Sequence, residues 1–121
     1  MNPLRSKYVR VLGIAPSSRG FGFALMEGEN TLVYWGVKAV KGDKNARSLA
    51  NVANLLAHYE PNVIALEDTR AKGSRRSSRI QALVEKIIVL AKGENIRVKL
   101  FSPKKVRLEL RKHSVNWSAS V

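Results

Sequence analysis

Between two stretches of helical spacing lies a run, Asn62-Val63-Ile64-Ala65-Leu66-Glu67, that is apolar almost throughout. A strand of this kind has to be covered on both faces, as in the middle of a partly parallel sheet. Before it, Ala46, Leu49, Ala50, Ala53, Leu56 and Ala57 recur at three- and four-residue intervals, which predicts an amphipathic helix over 45–59. Pro61 ends that helix, because the residue before a proline is driven away from helical geometry. After the run, Ile80, Leu83, Val84, Ile87, Leu90 and Ala91 define a second helix with Gly93 as its C-cap. A further strand follows over 96–101. Strand, helix and strand in this order form a βαβ unit with parallel strands and a right-handed crossover.

The first forty residues have a different rhythm. Three extended stretches, 8–14, 21–26 and 31–40, are separated by Pro16-Ser17-Ser18 and by Glu27-Gly28-Glu29-Asn30, a pattern that predicts an antiparallel meander. Phe21 and Phe23 alternate as sheet-face packing, and of the neighbours Tyr34 and Trp35 at least one is expected in the core. Ser102-Pro103 has the chemistry of an N-cap followed by proline in the first turn, so a third helix should open there. The order is βββαβαβα in a single α/β domain over 1–112, with 113–121 a flexible C-terminal tail.

Composition restricts the partners. Lys and Arg number 22 against 9 Asp and Glu, a formal charge of +13. Such a surface suits nucleic acid or another polyanion and argues against calcium buffering. With no cysteine and only His58 and His113, thiolate sites, disulfides and multi-histidine zinc sites are excluded. The glycines lack the spacing of a phosphate-cradling loop followed by Lys-Ser/Thr, and no histidine is placed to activate a serine. The apolar run near the start is broken by Arg10, so no secretory signal is expected, and no stretch is long and apolar enough to span a bilayer. A cytoplasmic protein without a membrane role is the expectation.

The stretch Leu12-Gly13-Ile14-Ala15-Pro16-Ser17-Ser18-Arg19-Gly20-Phe21-Gly22, the Glu67 that ends the apolar run, and Ser102-Pro103-Lys104-Lys105-Val106 together resemble the RuvC-like Holliday-junction resolvase family of the ribonuclease-H-like superfamily. The resemblance covers about residues 8–112. It implies a five-stranded mixed sheet of order 3-2-1-4-5 with helices on both faces, and strand four beside strand one, so that Glu67 lies near position 15. It also implies a nuclease centre in which carboxylates hold Mg²⁺ or Mn²⁺, one ion activating water and one steadying the leaving oxygen. Two departures stand out. The family's first catalytic carboxylate falls on Ala15, whose methyl group cannot ligate a cation, and no Asp or Glu follows Glu109, where the family has its last acidic residues. The expectation is a degenerate or incomplete centre.

Glu67 and Asp68 remain as candidate catalytic residues and as candidate ligands for Mg²⁺ or Mn²⁺. They stand at the carboxyl end of a parallel strand, where open α/β sheets place their sites. Adjacent strand residues face opposite ways, so both reach one crevice only if the chain bends at Asp68. The plainer reading is a pair of surface carboxylates closing a strand.

Arg70, Lys72, Arg75, Arg76 and Arg79 fall within ten residues just ahead of the second helix. Cations at a helix N-terminus oppose the helix dipole, so folding alone gives little reason for them there. A bound phosphate would meet arginine donors, serine hydroxyls and free helix N–H groups together. The alternative is a basic surface that merely keeps the protein soluble. Arg19, in the turn after strand one, and Lys104 and Arg107, on one face of the third helix, are further candidate contacts. Lys38, Lys41, Lys44 and Arg47 add charge near the first helix. No aromatic residue lies among residues 70–79, which favours reading of duplex or junction shape over single-strand stacking. The leading expectation is a protein that binds nucleic acid, DNA before RNA, through phosphates. The alternatives are a metal-dependent endonuclease on branched DNA or RNA and a structural or assembly protein. A homodimer is among the expected arrangements.

Overall fold

The computed structural model describes residues 9–28, 31–71 and 74–102. Their elements are β1 (Arg10–Pro16), β2 (Gly20–Glu27), β3 (Thr31–Ala39), α1 (Lys44–Tyr59), β4 (Val63–Glu67), α2 (Ser78–Gly93) and β5 (Arg97–Phe101). The five strands form one sheet in the order β3-β2-β1-β4-β5. β1, β2 and β3 pair antiparallel, whereas β4 runs parallel to β1 and β5 parallel to β4. The meander and the βαβ unit are therefore as the two hydrophobic periods predict. The third helix, the 113–121 tail, Lys72, Lys104 and Arg107 lie outside the described residues.

One face of the sheet makes the core. Leu12 and Ile14 of β1, Phe21, Phe23 and Leu25 of β2, and Ile64 and Leu66 of β4 are buried against Val52, Leu55 and Leu56 of α1 and Ile80, Leu83, Val84 and Ile87 of α2. Both helices pack into this one cluster and against each other, so both cover the same face. Burying each of these side chains contributes about 1.5–3 kcal/mol. Of the expected helices on both faces, the two among the described residues lie on one face. No helix among the described residues is long and apolar enough to cross a membrane.

Helix ends follow local chemistry. Asp43 caps α1, its carboxylate accepting from Ala46 N at 3.1 Å, and Ser77 caps α2, its hydroxyl accepting from Ile80 N at 3.3 Å. Each cap is worth about 1 kcal/mol. Glu60, just before Pro61, turns α1 off in a left-handed conformation. The expected cap at Gly93 is corrected: α2 runs through Gly93, Glu94 is the cap, and Asn95 takes the left-handed position at φ 60°. Asn95 N donates to Lys92 O at 3.1 Å and Ile96 N to Ala91 O at 2.9 Å, which closes a Schellman turn. Asparagine tolerates that conformation, so no glycine is required.

The expectation for Tyr34 and Trp35 is also corrected. Both are exposed, at 51% and 44%. Their strand is the outer edge of the sheet, and alternation alone could not reveal that neither face is closed there. Tyr34 instead leans on the rings of Phe23 and Tyr59, with centroids 5.8 and 6.0 Å apart.

Candidate nucleic-acid interface

The parallel register of β1 and β4 sets Gly13 opposite Ala65 and Ile14 opposite Leu66, so Ala15 and Glu67 come next at neighbouring carboxyl ends. Ile64 and Leu66 face the core, and the period of two therefore turns Glu67 to the sheet face away from the helices. There the Glu67 carboxylate, 14% exposed, meets a guanidinium: Arg76 Nε lies 2.8 Å from Glu67 Oε2. Both atoms are closed to solvent and neither has a well-directed hydrogen bond, so the contact is ionic. The other end of the same guanidinium reaches β1, where Arg76 Nη2 donates to Pro16 O. Gln81 Nε2 donates to Arg76 O at 3.0 Å and holds the backbone from the first turns of α2.

The turn between β1 and β2 is gripped by cations. Pro16 O accepts from Arg76, Ser17 O from Arg79 Nη2 at 3.1 Å, and Ser18 O from Lys44 Nζ at 2.7 Å. Arg79 Nη1 also donates to Asn45 Oδ1, and Asn45 Nδ2 returns a bond to Arg79 O, both at 3.0 Å. Ser17 N closes the turn on Gly20 O at 2.8 Å. Gly20 is needed for close approach: a β-carbon there would lie 1.9 Å from Lys38 O. Sequence reasoning found no folding role for Arg76 and Arg79, and the structure supplies one. Two successive carbonyl dipoles, those of Pro16 and Ser17, take the charge that the N-terminus of α2 disfavours, and the next, that of Ser18, takes Lys44 at the start of α1.

The candidate residues separate into three kinds. Glu67, Arg76 and Arg79 come together at the strand ends, where they are bonded within the protein. Asp68 leaves the strand; its N–H donates to Phe101 O at 2.7 Å and its carboxylate accepts from Arg70 N at 3.0 Å, so it serves its own loop. Arg70 pairs with Glu85 with both side chains largely exposed, an arrangement worth little in stability. Arg19 and Arg75 are exposed. Lys44 and Asn45 act at this end although sequence reasoning assigned them no site role. Exposed Lys38, Lys41 and Arg47 join them, because Lys38 pairs with Phe21 and Val40 N donates to Arg19 O at 2.9 Å, bringing the start of α1 beside the turn. The cationic run from Lys38 to Arg47 was the available signal.

A divalent cation does not fit the described residues. Among them, no three or more His, Asp or Glu side chains gather as a ligand set. Ala15 offers a methyl group, Glu67 faces a guanidinium, and Asp68 is turned to its own loop.

Solved structures with this architecture carry the remaining information. The chain superposes on RuvC of Thermus thermophilus in complex with Holliday junction substrate with a TM-score of 0.68 at 17% identity, covering 84% of this chain and 69% of that one. The chain has the ribonuclease-H-like fold of the RuvC resolvases. A second T. thermophilus RuvC structure gives a TM-score of 0.65 at 18% identity, over 93% of this chain and 75% of that one. The Fowlpox virus resolvase in complex with Holliday junction DNA gives 0.61 at 17% identity, over 78% of this chain and 61% of that one. No family model matches the sequence, and no curated protein does. The fold and strand order implied by the strand-one motif are thus found, with Ala15 beside Glu67 in the RuvC-type sheet.

Proposed function

We propose that this RuvC-fold protein binds DNA, and branched DNA in particular, through its phosphates at the carboxyl ends of β1 and β4, with a nuclease centre that is degenerate. The observation that carries this reading is the excess of cations around the 16–20 turn. Arg19, Lys38, Lys41, Arg47 and Arg75 are exposed around these strand ends, where Glu67 is already paired with Arg76 and Asp43 is engaged as the α1 cap. Exposed guanidinium and ammonium groups donate to phosphate oxygens in charge-assisted bonds and carry no base information. Two of the structures with this fold are complexes with a Holliday junction, which makes a four-way junction the first ligand to try.

Mobility shifts of a labelled four-way junction and a linear duplex of the same length, at several salt concentrations, test the reading. The expected result is tighter junction binding with a steep salt dependence and no cleavage in Mg²⁺ or Mn²⁺. Equal, weak binding to both would refute it. Junction cleavage abolished by Glu67→Gln would replace it with the metal-dependent endonuclease reading.

A further inference from the structure

We propose that Arg76 is a resident cation: its guanidinium sits where the Glu67 carboxylate would otherwise recruit a metal ion, so the strand-end crevice takes a phosphodiester without one. The inference rests on the phosphate-binding reading above and adds the identity of the site's cation.

A carboxylate as enclosed as Glu67 requires a counter-charge, because an unpaired buried ion carries a large desolvation cost. Among the described residues the one ion pair Glu67 makes is with Arg76, at 2.8 Å. That guanidinium is fixed at a second point by Pro16 O, so it bridges the carboxyl ends of β4 and β1. A divalent ion shared between strands would have to make the same bridge. Position 15, which points into this space from β1, brings a methyl group and no competing negative charge.

The fork is not used up by these contacts. Nε faces Glu67 and one Nη2 hydrogen is given to Pro16 O, while Nη1 has no such partner among the described residues. The side chain keeps 32% of its surface exposed, enough for a phosphate oxygen to approach the outer edge. Arg79 and Lys44 stand behind the adjacent carbonyls, and Arg75 is exposed one residue away. The local field therefore attracts a phosphodiester and repels a second cation.

The test is metal binding without DNA, so it is independent of whether the nucleic-acid reading holds. Mn²⁺ is titrated by calorimetry into the wild type, Arg76→Met, Glu67→Gln and the double variant, with thermal melts at matched ionic strength. The wild type should give no binding heat and no Mn²⁺-dependent rise in Tm. Arg76→Met should gain both, and the double variant should lose them again. A Met variant that folds only when Mn²⁺ is present also supports the proposal. A wild type stabilised by Mn²⁺ through Glu67 overturns it. So does a Met variant that gains no response, or one that stays unfolded with Mn²⁺ while the double variant folds. In a second arm, junction binding should be equal in chelator and in Mg²⁺ at matched ionic strength. Glu67→Gln should tighten it by up to about 5-fold, the scale of one partly exposed ion pair; weaker binding in that variant counts against Arg76 as the phosphate's partner. Absence of DNA binding under every condition would remove the reading of the previous section while the Mn²⁺ titration still decides this one.

Discussion

The two ends of the sheet solve the problem of charge in opposite ways. At the amino end of β1 and β4, a carboxylate and a cation meet directly: Arg10 lies 2.9 Å from Glu27, donates to Tyr59 O at 2.8 Å, and its backbone N–H donates to Asn62 Oδ1. Glu60 and Glu94 line the same end, beside Asn62 and Asn95. At the carboxyl end, Arg19, Lys38, Lys41, Lys44, Arg47, Arg75, Arg76 and Arg79 crowd a turn, and their carboxylate neighbours are Glu67 and the cap Asp43. Backbone carbonyls do there what carboxylates do at the other end. A carbonyl dipole orients a cation and leaves its net charge in place. The amino end is thus locally settled, and the carboxyl end keeps an uncancelled positive field, which weakens the fold by self-repulsion.

The largest effect that can break this comparison lies in the glycines at either end of β2. Gly20→Ala should cost about 3 kcal/mol, because its new methyl group would press on Lys38 O and the turn that the cations grip would have to move. Gly28→Ala, at the other end, should cost about 1 kcal/mol, the strain of a left-handed backbone at φ 68°. Urea denaturation measures both, and equal losses would mean the gripped turn is not the more tightly specified end.

Next in size is the pair of arginines that tie each end together. Arg79→Met removes bonds to Ser17 O and Asn45 Oδ1 and should cost about 2 kcal/mol. Arg10→Met should cost about 1 kcal/mol, since it loses a partly exposed ion pair and one carbonyl bond. A loss for Arg79→Met no greater than that for a change at exposed Arg75 would show that the carbonyl grip contributes nothing.

Replacing Lys41, Arg47 and Arg75 together with Ala should leave the fold intact, because all three are exposed. If each contacts a phosphate, the slope of log affinity against log salt flattens by about 2.7. Glu94→Gln at the opposite end should leave that slope unchanged. Filter binding on duplex DNA at several salt concentrations separates the two. A triple variant with the parental slope would move the binding surface elsewhere.

The smallest effects come from α2, whose first turn lacks an acidic residue and whose last turn sets Lys92 beside an unfavourable Glu94 cap. Ser78→Glu and Glu94→Lys should each add a few tenths of a kcal/mol in thermal melts. The first should also weaken DNA binding, and the second should not. A DNA effect of the same size from both would erase the distinction between the ends.

Much of this fold is legible along the chain. The switch from a period of two to spacings of three and four marks β1 to β5 and both helices to within two or three residues, because those periods are set by backbone geometry and by which side must be apolar. The element order, with the resemblance to the resolvase family, then puts β4 beside β1, and the apolar run puts Glu67 at the end of β4. The two errors have different physical origins. Tyr34 and Trp35 were expected to include a core residue because alternation does not say which strand is an edge. Gly93 was expected as the cap because an asparagine two residues later served equally well.

Within the site the division is sharper. The residue types, the +13 charge, the methyl group at position 15 and the cations ahead of α2 are properties of the sequence, and they are what makes a polyanion the proposed partner. Which of those cations are available is decided by the tertiary structure alone. Arg75 and Arg76 are neighbours in sequence, yet one is exposed and the other is bound to Glu67 and Pro16. An arginine's partner is fixed by where two strand ends and a turn some sixty residues away are brought by core packing. A charge has no period along a chain, so nothing local distinguishes an arginine that grips a carbonyl from one that stays exposed.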